Sequence, residues 1–269
     1  MSAEQLIREG SPVEALAALE KEVRANPASA DLRVFLFQLL AVLGQWDRAL
    51  TQLNVAADMD PKNLLMAHVC RSALQCEAYR EQVFAGERSP LVFGEPSAWI
   101  GELIQAMSLT AKGQHGPAAE LRARALEAAP TQEGRLNGQP FEWLADADSR
   151  LGPVLELIVD GRYYWAPFAS ISRIEVEAPS DLRDLVWTPA KVTWSNQGAS
   201  VALIPTRYAP LPTKGELRLA HGTEWEDLGS HCWAGLGQRM LATSESETPL
   251  LEVREIELAP VASDAALGP

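Results

Sequence analysis

The feature that most constrains the fold is an internal repeat with a period of 34 residues in the N-terminal half of the chain. The aligned positions are Gly10, Ala15, Leu19 and Pro27 in the first unit and Gly44, Ala49, Leu53 and Pro61 in the second. Glycine permits a tight turn, small residues let two helices approach closely, and proline ends a helix. The spacing therefore predicts helical hairpins that stack on one another.

A third unit runs from about Trp99 to Pro130 and repeats the internal offsets at Gly113, Ala118 and Ala125. Gly113 lies 69 residues after Gly44, one more than two full periods. The intervening segment 64–86 is predicted to be one helix of about six turns, followed by the loop 86–97.

The pattern resembles the tetratricopeptide repeat, whose period is also 34. Phe37 stands where that repeat has glycine, and the first unit has little room for its first helix. We therefore expect a short, irregular stack. Such a stack either offers a groove to a partner segment or serves only as a scaffold.

From residue 134 the pattern changes to short β-rich runs. Two hairpins are predicted, VLELIV–DG–RYYWAP and KVTW–SNQGA–SVALIP. The runs ISRIEVEA, ELRLA and LLEVREIEL are predicted strands, and SDLRDLVW is a predicted short helix capped by Ser180 or Asp181. We expect an α+β protein with an irregular repeat-like helical domain over 1–133. A mostly antiparallel, β-rich domain, either an open sheet or a partly closed barrel, follows over 134–269 and ends in a flexible tail, VASDAALGP.

The formal net charge of −13 argues against a nucleic-acid partner or an anionic membrane surface. The sequence begins without a basic and then apolar leader, and no apolar run reaches the roughly 20 residues of a membrane helix. Cys70, Cys76 and Cys232 are too few and too poorly spaced for a disulfide framework and are predicted to be buried, reduced thiols. Together these features predict a cytoplasmic protein.

Motifs for phosphate, nucleotide, hydrolase or metalloprotease sites are missing from the sequence. The one candidate metal cluster, His221, His231 and Cys232, fits no standard zinc spacing. We therefore predict no catalytic residues, no cofactor and no metal site. A hydrolase that uses Asp146 and Asp148 is the enzymatic alternative, but that run is more typical of capping and salt bridges at a turn.

Four tryptophans lie within residues 141–205. In a strand, Tyr163 and Trp165 would point to one face and Tyr164 to the other, so that one face joins the core and the other could be an aromatic recognition surface. Arg183 would need a carboxylate partner if it were buried. The candidates for that partner are Asp146, Asp148 and Asp160.

Several separated motifs occur in order: FEWLADADSRLGPVLELIVDGRYYWAPFASI, LRDLVWTPA, PTRY and GLGQR. Their wording resembles the ImpE family, also called the TagJ or SciE family, and the resemblance covers nearly the whole chain. It implies a non-enzymatic adaptor of bacterial type VI secretion. Members of the family bind the N-terminal segment of the small contractile-sheath subunit and influence sheath handling or its disassembly by a hexameric ATPase.

The resemblance thus implies the small sheath subunit as partner, with the ATPase as a second one. A helix laid in a groove and a strand added to a sheet edge are both open as binding modes. A scaffold that joins two other components, one on each half, is the non-enzymatic alternative. The candidate partner-binding residues are Trp143, Asp146, Asp148, Tyr163, Tyr164, Trp165, Arg183 and Trp187.

Overall fold

The computed structural model describes residues 1–95 and 97–260. The predicted C-terminal tail, 261–269, lies outside the described residues. The first 128 residues contain seven α-helices: α1 (Ala3–Arg8), α2 (Pro12–Ala25), α3 (Ala30–Val42), α4 (Trp46–Met59), α5 (Leu64–Phe84), α6 (Ala98–Ala111) and α7 (His115–Ala128).

The helices form hairpins, as the repeat predicts. Gly10, Gly44 and Gly113 each have φ between +70° and +78° and end the first helix of a unit, where a side chain would be strained. Ala49 and Leu53 are fully buried. The long α5 confirms the predicted single helix between the second and third units, and it has no second helix of its own.

The β-rich half is built around a nine-stranded sheet, and two smaller sheets accompany it. The strands are β1 (Leu91–Val92), β2 (Gly134–Leu136), β3 (Gln139–Phe141), β4 (Leu144–Asp146), β5 (Val154–Val159), β6 (Arg162–Pro167), β7 (Ile171–Val176), β8 (Trp187–Trp194), β9 (Ala199–Pro205), β10 (Thr223–Asp227), β11 (Trp233–Gly237), β12 (Met240–Thr243), β13 (Glu247–Pro249) and β14 (Glu255–Leu258).

The large sheet has the order β1-β6-β5-β9-β8-β7-β14-β2-β3. All its pairs are antiparallel except β1–β6. β13-β12-β4 and β10-β11 form the smaller sheets. The predicted α+β class is confirmed. The loop 86–97 supplies β1, an edge strand that the sequence analysis did not predict.

Both predicted hairpins are confirmed. The β5–β6 turn has Asp160 and Gly161 at φ +48° and +71°, which suits the twist of a two-residue hairpin. The prediction for ELRLA was wrong: Gly215–Arg218 is a helical turn, α8. In LLEVREIEL only Glu255–Leu258 is a strand, because Leu250–Glu252 forms a 3-10 turn.

The two halves share one hydrophobic core. It joins residues of the helices, such as Leu39 and Leu74, with Val154, Trp165 and Trp187 of the sheet. The opposite face of the sheet encloses a second core, because side chains alternate along each strand. The helical layer is therefore packed directly against one face of the sheet.

Candidate partner-binding site

A surface groove lies between the first helices of successive units. Its volume is about 330 Å³, and its lining residues come from α1, α3 and the 3-10 turn Pro61–Asn63 that precedes α5. The lining residues are Glu4, Asp31, Val34, Phe35, Gln38 and Asn63. We call it the α3–α5 groove. Its side chains combine two carboxylates with two apolar groups, the chemistry that would receive an amphipathic helix with a basic flank.

The spacing on α3 explains how the sequence forms this groove. Asp31, Val34, Phe35 and Gln38 follow one another at helical intervals, so that they lie along one side of the helix. The Ser29 side chain caps the helix by accepting a bond from the Leu32 amide at 3.3 Å. The larger apolar stripe of α3 faces the core instead.

The β-rich half contacts α3 next to the groove. A 3-10 turn, Leu182–Leu185, packs against α3, and the Gln38 amide donates to Asp181 at 3.1 Å. Asp181 and Asp184 form a capping box on that turn, which confirms the predicted cap at Asp181. The β-rich half thus occupies part of the face that a helical stack commonly offers to a ligand.

Large aliphatic side chains are exposed beside the groove. Leu64, Leu65 and Val69 follow Asn63 in the first turns of α5 and have 57%, 76% and 44% of their surface exposed. Met59 at the end of α4 is also exposed. Apolar side chains that are clustered in this way are typical of an interaction surface.

The residues predicted from sequence divide into two groups. Trp143 is exposed, and Tyr164 and Arg183 are half-buried. Contact of these three with a partner stays a prediction. The other five have buried side chains, and all five have partners within the chain: Asp146, Asp148, Tyr163, Trp165 and Trp187.

The predicted partners for Arg183 were wrong. Its guanidinium lies 3.3 Å from Asp181 and 4.0 Å from Asp184, and 34% of the side chain is exposed. Arg183 therefore serves the local turn rather than a buried pair. Asp146 and Asp148 instead bind arginines that are far from Arg183 in sequence.

Buried charges occupy the contact between the halves. Arg80 of α5 donates from Nε and Nη2 to the two oxygens of Glu156 on β5, at 2.6 and 3.0 Å. Arg239 binds Glu156 and Asp146 together. These side chains are at most 4% exposed. Each carboxylate in this network is therefore neutralised where water cannot reach it.

A second arginine binds Asp148, the other carboxylate of the sequence Asp146–Ala147–Asp148. Arg150 donates from Nε to Asp148 Oδ1 at 2.8 Å, and the Gly235 amide donates to Asp148 Oδ2 at 2.9 Å. The Tyr208 hydroxyl donates to Asp146 Oδ1 at 2.9 Å. These contacts agree with the prediction of salt bridges at a turn.

Aromatic side chains complete the network. The Tyr163 hydroxyl donates to Glu156, and Trp165 Nε1 donates to that hydroxyl at 2.8 Å. Trp187 Nε1 donates to Glu77 at 3.0 Å. Tyr163 and Trp165 share the inward face of β6 as predicted, with Tyr164 on the other face. The aromatic cluster therefore orients buried carboxylates.

Burial and charge pull the pKa values of these carboxyls apart. Burial opposes ionisation of Glu156, but Arg80 and Arg239 outweigh it and lower its pKa to about 2. Burial raises the pKa of Asp146 to about 6 against the attraction of Arg239. Of these two carboxyls, Asp146 is the one that changes charge nearer to neutrality.

The described part of the chain has no group of three or more His, Cys, Asp or Glu residues that could hold a metal ion. Cys70, Cys76 and Cys232 are buried thiols, as predicted. Burial raises the pKa of Cys70 to about 11 and that of Cys76 to about 12. These thiols are poor nucleophiles near neutrality.

Sequence reasoning missed the groove residues and the arginines of the network. Asp31 and Gln38 were a usable signal, since they are polar residues at helical spacing in the otherwise mostly apolar α3. Arg80 and Arg239 gave no such signal. They lie 76 and 83 positions from Glu156, and only the fold brings them together.

Comparison with known proteins places these features in a family. Residues 138–257 match the family model described as ImpE protein, and residues 6–71 match a tetratricopeptide repeat. The predicted repeat resemblance is therefore confirmed. Within residues 1–95 and 97–260, the helices are too short or too polar to cross a membrane.

The type VI secretion system accessory component TagJ of Pseudomonas aeruginosa is 51% identical over 263 residues, which cover 97% of this chain and 92% of that protein. A protein of Vibrio parahaemolyticus with a known X-ray crystal structure has the same fold. Its TM-score is 0.88 at 24% identity, and the match covers 96% of this chain and 97% of that one. On the strength of the first relationship and the ImpE match, the chain belongs to the ImpE family, which includes TagJ.

Proposed function

We propose that this protein is a cytoplasmic, non-enzymatic adaptor of a bacterial type VI secretion system, and that it binds the N-terminal helix of the small sheath subunit in the α3–α5 groove. Its family membership supports a role in type VI secretion, since its TagJ relative is an accessory component of that system. The groove, with acidic and apolar side chains on adjacent helices, is the observation that carries the proposal.

The dimensions of the groove suit a short helical contact. Asp31 and Gln38 are seven positions apart on α3, which corresponds to about 10 Å along the axis at 1.5 Å per residue. A docked helix would therefore contact α3 over about two turns. Its apolar residues would rest on Val34 and Phe35, and its basic residues would lie near Glu4 and Asp31.

The buried network supports a holding role over hydrolysis. An acid–base pair must reach its substrate, whereas Asp146 and Asp148 are at most 3% exposed and already bind arginines. Asp146 instead shares Arg239 with Glu156, and Arg80 joins Glu156 to α5, the helix that begins beside the groove. By holding the sheath segment, the adaptor would alter how the disassembling ATPase reaches the sheath.

Co-purification with two forms of the small sheath subunit tests the proposal. The intact subunit should bind, and a form without its N-terminal segment should not. As a control, that segment fused to an unrelated carrier protein should restore binding. Equal recovery of the intact and truncated subunits would overturn the proposal.

A further inference from the structure

The β10–β11 ribbon is a second exposed element, and the groove does not involve it. β10 pairs with β11 from Thr223↔Gly237 to Asp227↔Trp233. Four consecutive residues of β10, from Glu224 to Asp227, are exposed. An edge strand presents unpaired N–H and C=O groups with which another strand can pair.

Hydrogen bonds at the two ends of the ribbon define its free edge. The Gln238 amide donates to Gly222 O, and the Leu228 amide donates to Cys232 O, both at 2.9 Å. Because antiparallel pairs alternate, the backbone groups of Glu224 and Glu226 face β11. The backbone groups of Thr223, Trp225 and Asp227 therefore point outward, and no strand of the described residues pairs with them.

The two faces of β10 differ in chemistry. Glu224 and Glu226 project from one face. Glu224 has a partner in exposed Lys214, whereas Glu226 has no ion pair among the described residues. Trp225 lies on the other face, where its ring is 5.8 Å from that of Tyr208. Trp233 stands opposite Asp227 on the same face, and the two tryptophan side chains are 36% and 47% exposed.

The charge on β10 determines what could pair with this edge. A second copy of β10 would bring carboxylates against carboxylates, which opposes pairing. A strand with basic side chains would instead lie beside Glu224 and Glu226, and apolar side chains at alternate positions would lie beside the two tryptophans. Outward N–H and C=O groups supply the main-chain bonds of such a complex.

We propose that β10 binds an extended segment in which Lys or Arg alternates with apolar residues, by adding it to the sheet as a third strand. This surface is separate from the α3–α5 groove, so the proposal holds whether or not the groove binds a sheath helix. Occupation of both surfaces would make the protein a scaffold between two components.

Amide NMR of the ¹⁵N-labelled full chain with a nine-residue peptide of alternating lysine and valine tests this proposal. Saturable shifts should centre on Thr223, Trp225 and Asp227, and exchange of those amides with solvent should slow. The same peptide with N-methyl groups on its pairing edge keeps its charge but loses its donors. We expect it to bind at least tenfold more weakly.

Two charge-reversal variants complete the test. Glu224→Lys with Glu226→Lys should weaken peptide binding at least tenfold. The control double variant, Glu87→Lys with Glu95→Lys, makes the same change of charge at exposed loop residues. Its affinity for the peptide should stay within about twofold of the wild-type value. Equal binding of the methylated peptide, equal loss in both double variants, or no saturable binding would overturn the proposal.

Discussion

Arg80 and Glu156 lie 76 positions apart in the sequence and form a buried two-point ion pair that joins α5 to β5. Arg80 Nη2 also donates to the Arg207 carbonyl at 2.8 Å, so that one side chain binds two segments of the β-rich half. The groove is lined in part by Asn63, which immediately precedes α5. The ion pair therefore fixes the helix that begins at the proposed binding site.

Loss of this arginine should destabilise the whole molecule. Arg80→Met removes the charge but keeps most of the apolar stem, and it leaves Glu156 and Glu77 buried with less compensation. We expect the free energy of unfolding in urea to fall by about 3–5 kcal/mol. Arg173→Met is the control, since Arg173 binds Glu255 at the surface, and it should cost less than about 1 kcal/mol. A similar small loss for both variants would contradict this role for Arg80.

Asp146 should give stability a distinctive dependence on pH. Its folded pKa of about 6 lies above the ordinary value of 3.8, so between these values the folded state holds a proton that the unfolded state has lost. The contribution of Asp146 to the free energy of unfolding must then fall as pH rises from about 4 to 6, by at most about 1.4 kcal/mol per pH unit. Glu156 has the opposite sign, because its folded pKa is lowered: it stabilises the folded state above pH 4.5, and this contribution is lost as pH falls below 4.5 and the group is protonated.

Urea unfolding from pH 4.5 to 6.5 separates the two carboxyls. The difference in free energy of unfolding between the wild type and Asp146→Asn should decrease as pH rises. Asp58→Asn changes an exposed carboxyl of α4 and serves as the control, and its difference should stay flat. A constant difference for Asp146→Asn across this range would show that the folded pKa of Asp146 is not raised.

Gly235 allows Tyr208 to reach Asp146. A Cβ at Gly235 would lie 2.1 Å from Tyr208 Cδ2, so the ring would have to move and its bond to Asp146 would be lost. We expect Gly235→Ala to lower the free energy of unfolding by at least about 2 kcal/mol. Gly101→Ala is a matched control, because nothing lies within 4 Å of the added Cβ.

Because Gly101 is an exposed position within α6, the Gly101→Ala exchange should raise stability by about 0.5–1 kcal/mol. Thermal unfolding of the wild type and the two variants should show a lower melting temperature for Gly235→Ala and a higher one for Gly101→Ala. If Gly235→Ala were neutral, the close packing of Tyr208 on that glycine would be wrong.

Sequence patterns predicted the local elements of this fold well. Gly44 and Ala49 signalled a helical hairpin through their spacing, and Asp160–Gly161 signalled a β-turn through its need for positive φ. These signals depend on residues close in the chain. The strand prediction for ELRLA was wrong because a run of five residues fits either a strand or a helical turn. In the structure this run forms a helical turn and its end, and Leu217 and Leu219 are buried there.

Long-range relationships explain what the sequence alone did not reveal. Nothing near Arg239 indicates that it binds Asp146 and Glu156, because those contacts exist only after β4, β5 and β12 come together. The groove was missed for a related reason. The Gln38 side chain, which lines the groove, binds Asp181, 143 positions later, so the repeat pattern could not show how much of the helical face stays open.

The central claim is that the α3–α5 groove holds the sheath segment. Asp31 and Asp47 are matched, since each is an exposed aspartate at the second position of a helix, but only Asp31 lines the groove. Calorimetric titration with the N-terminal peptide of the small sheath subunit compares them directly. We expect Asp31→Lys to weaken peptide binding at least tenfold and Asp47→Lys to change it less than twofold. Equal affinity of the two variants, or no binding by the wild type, would contradict it.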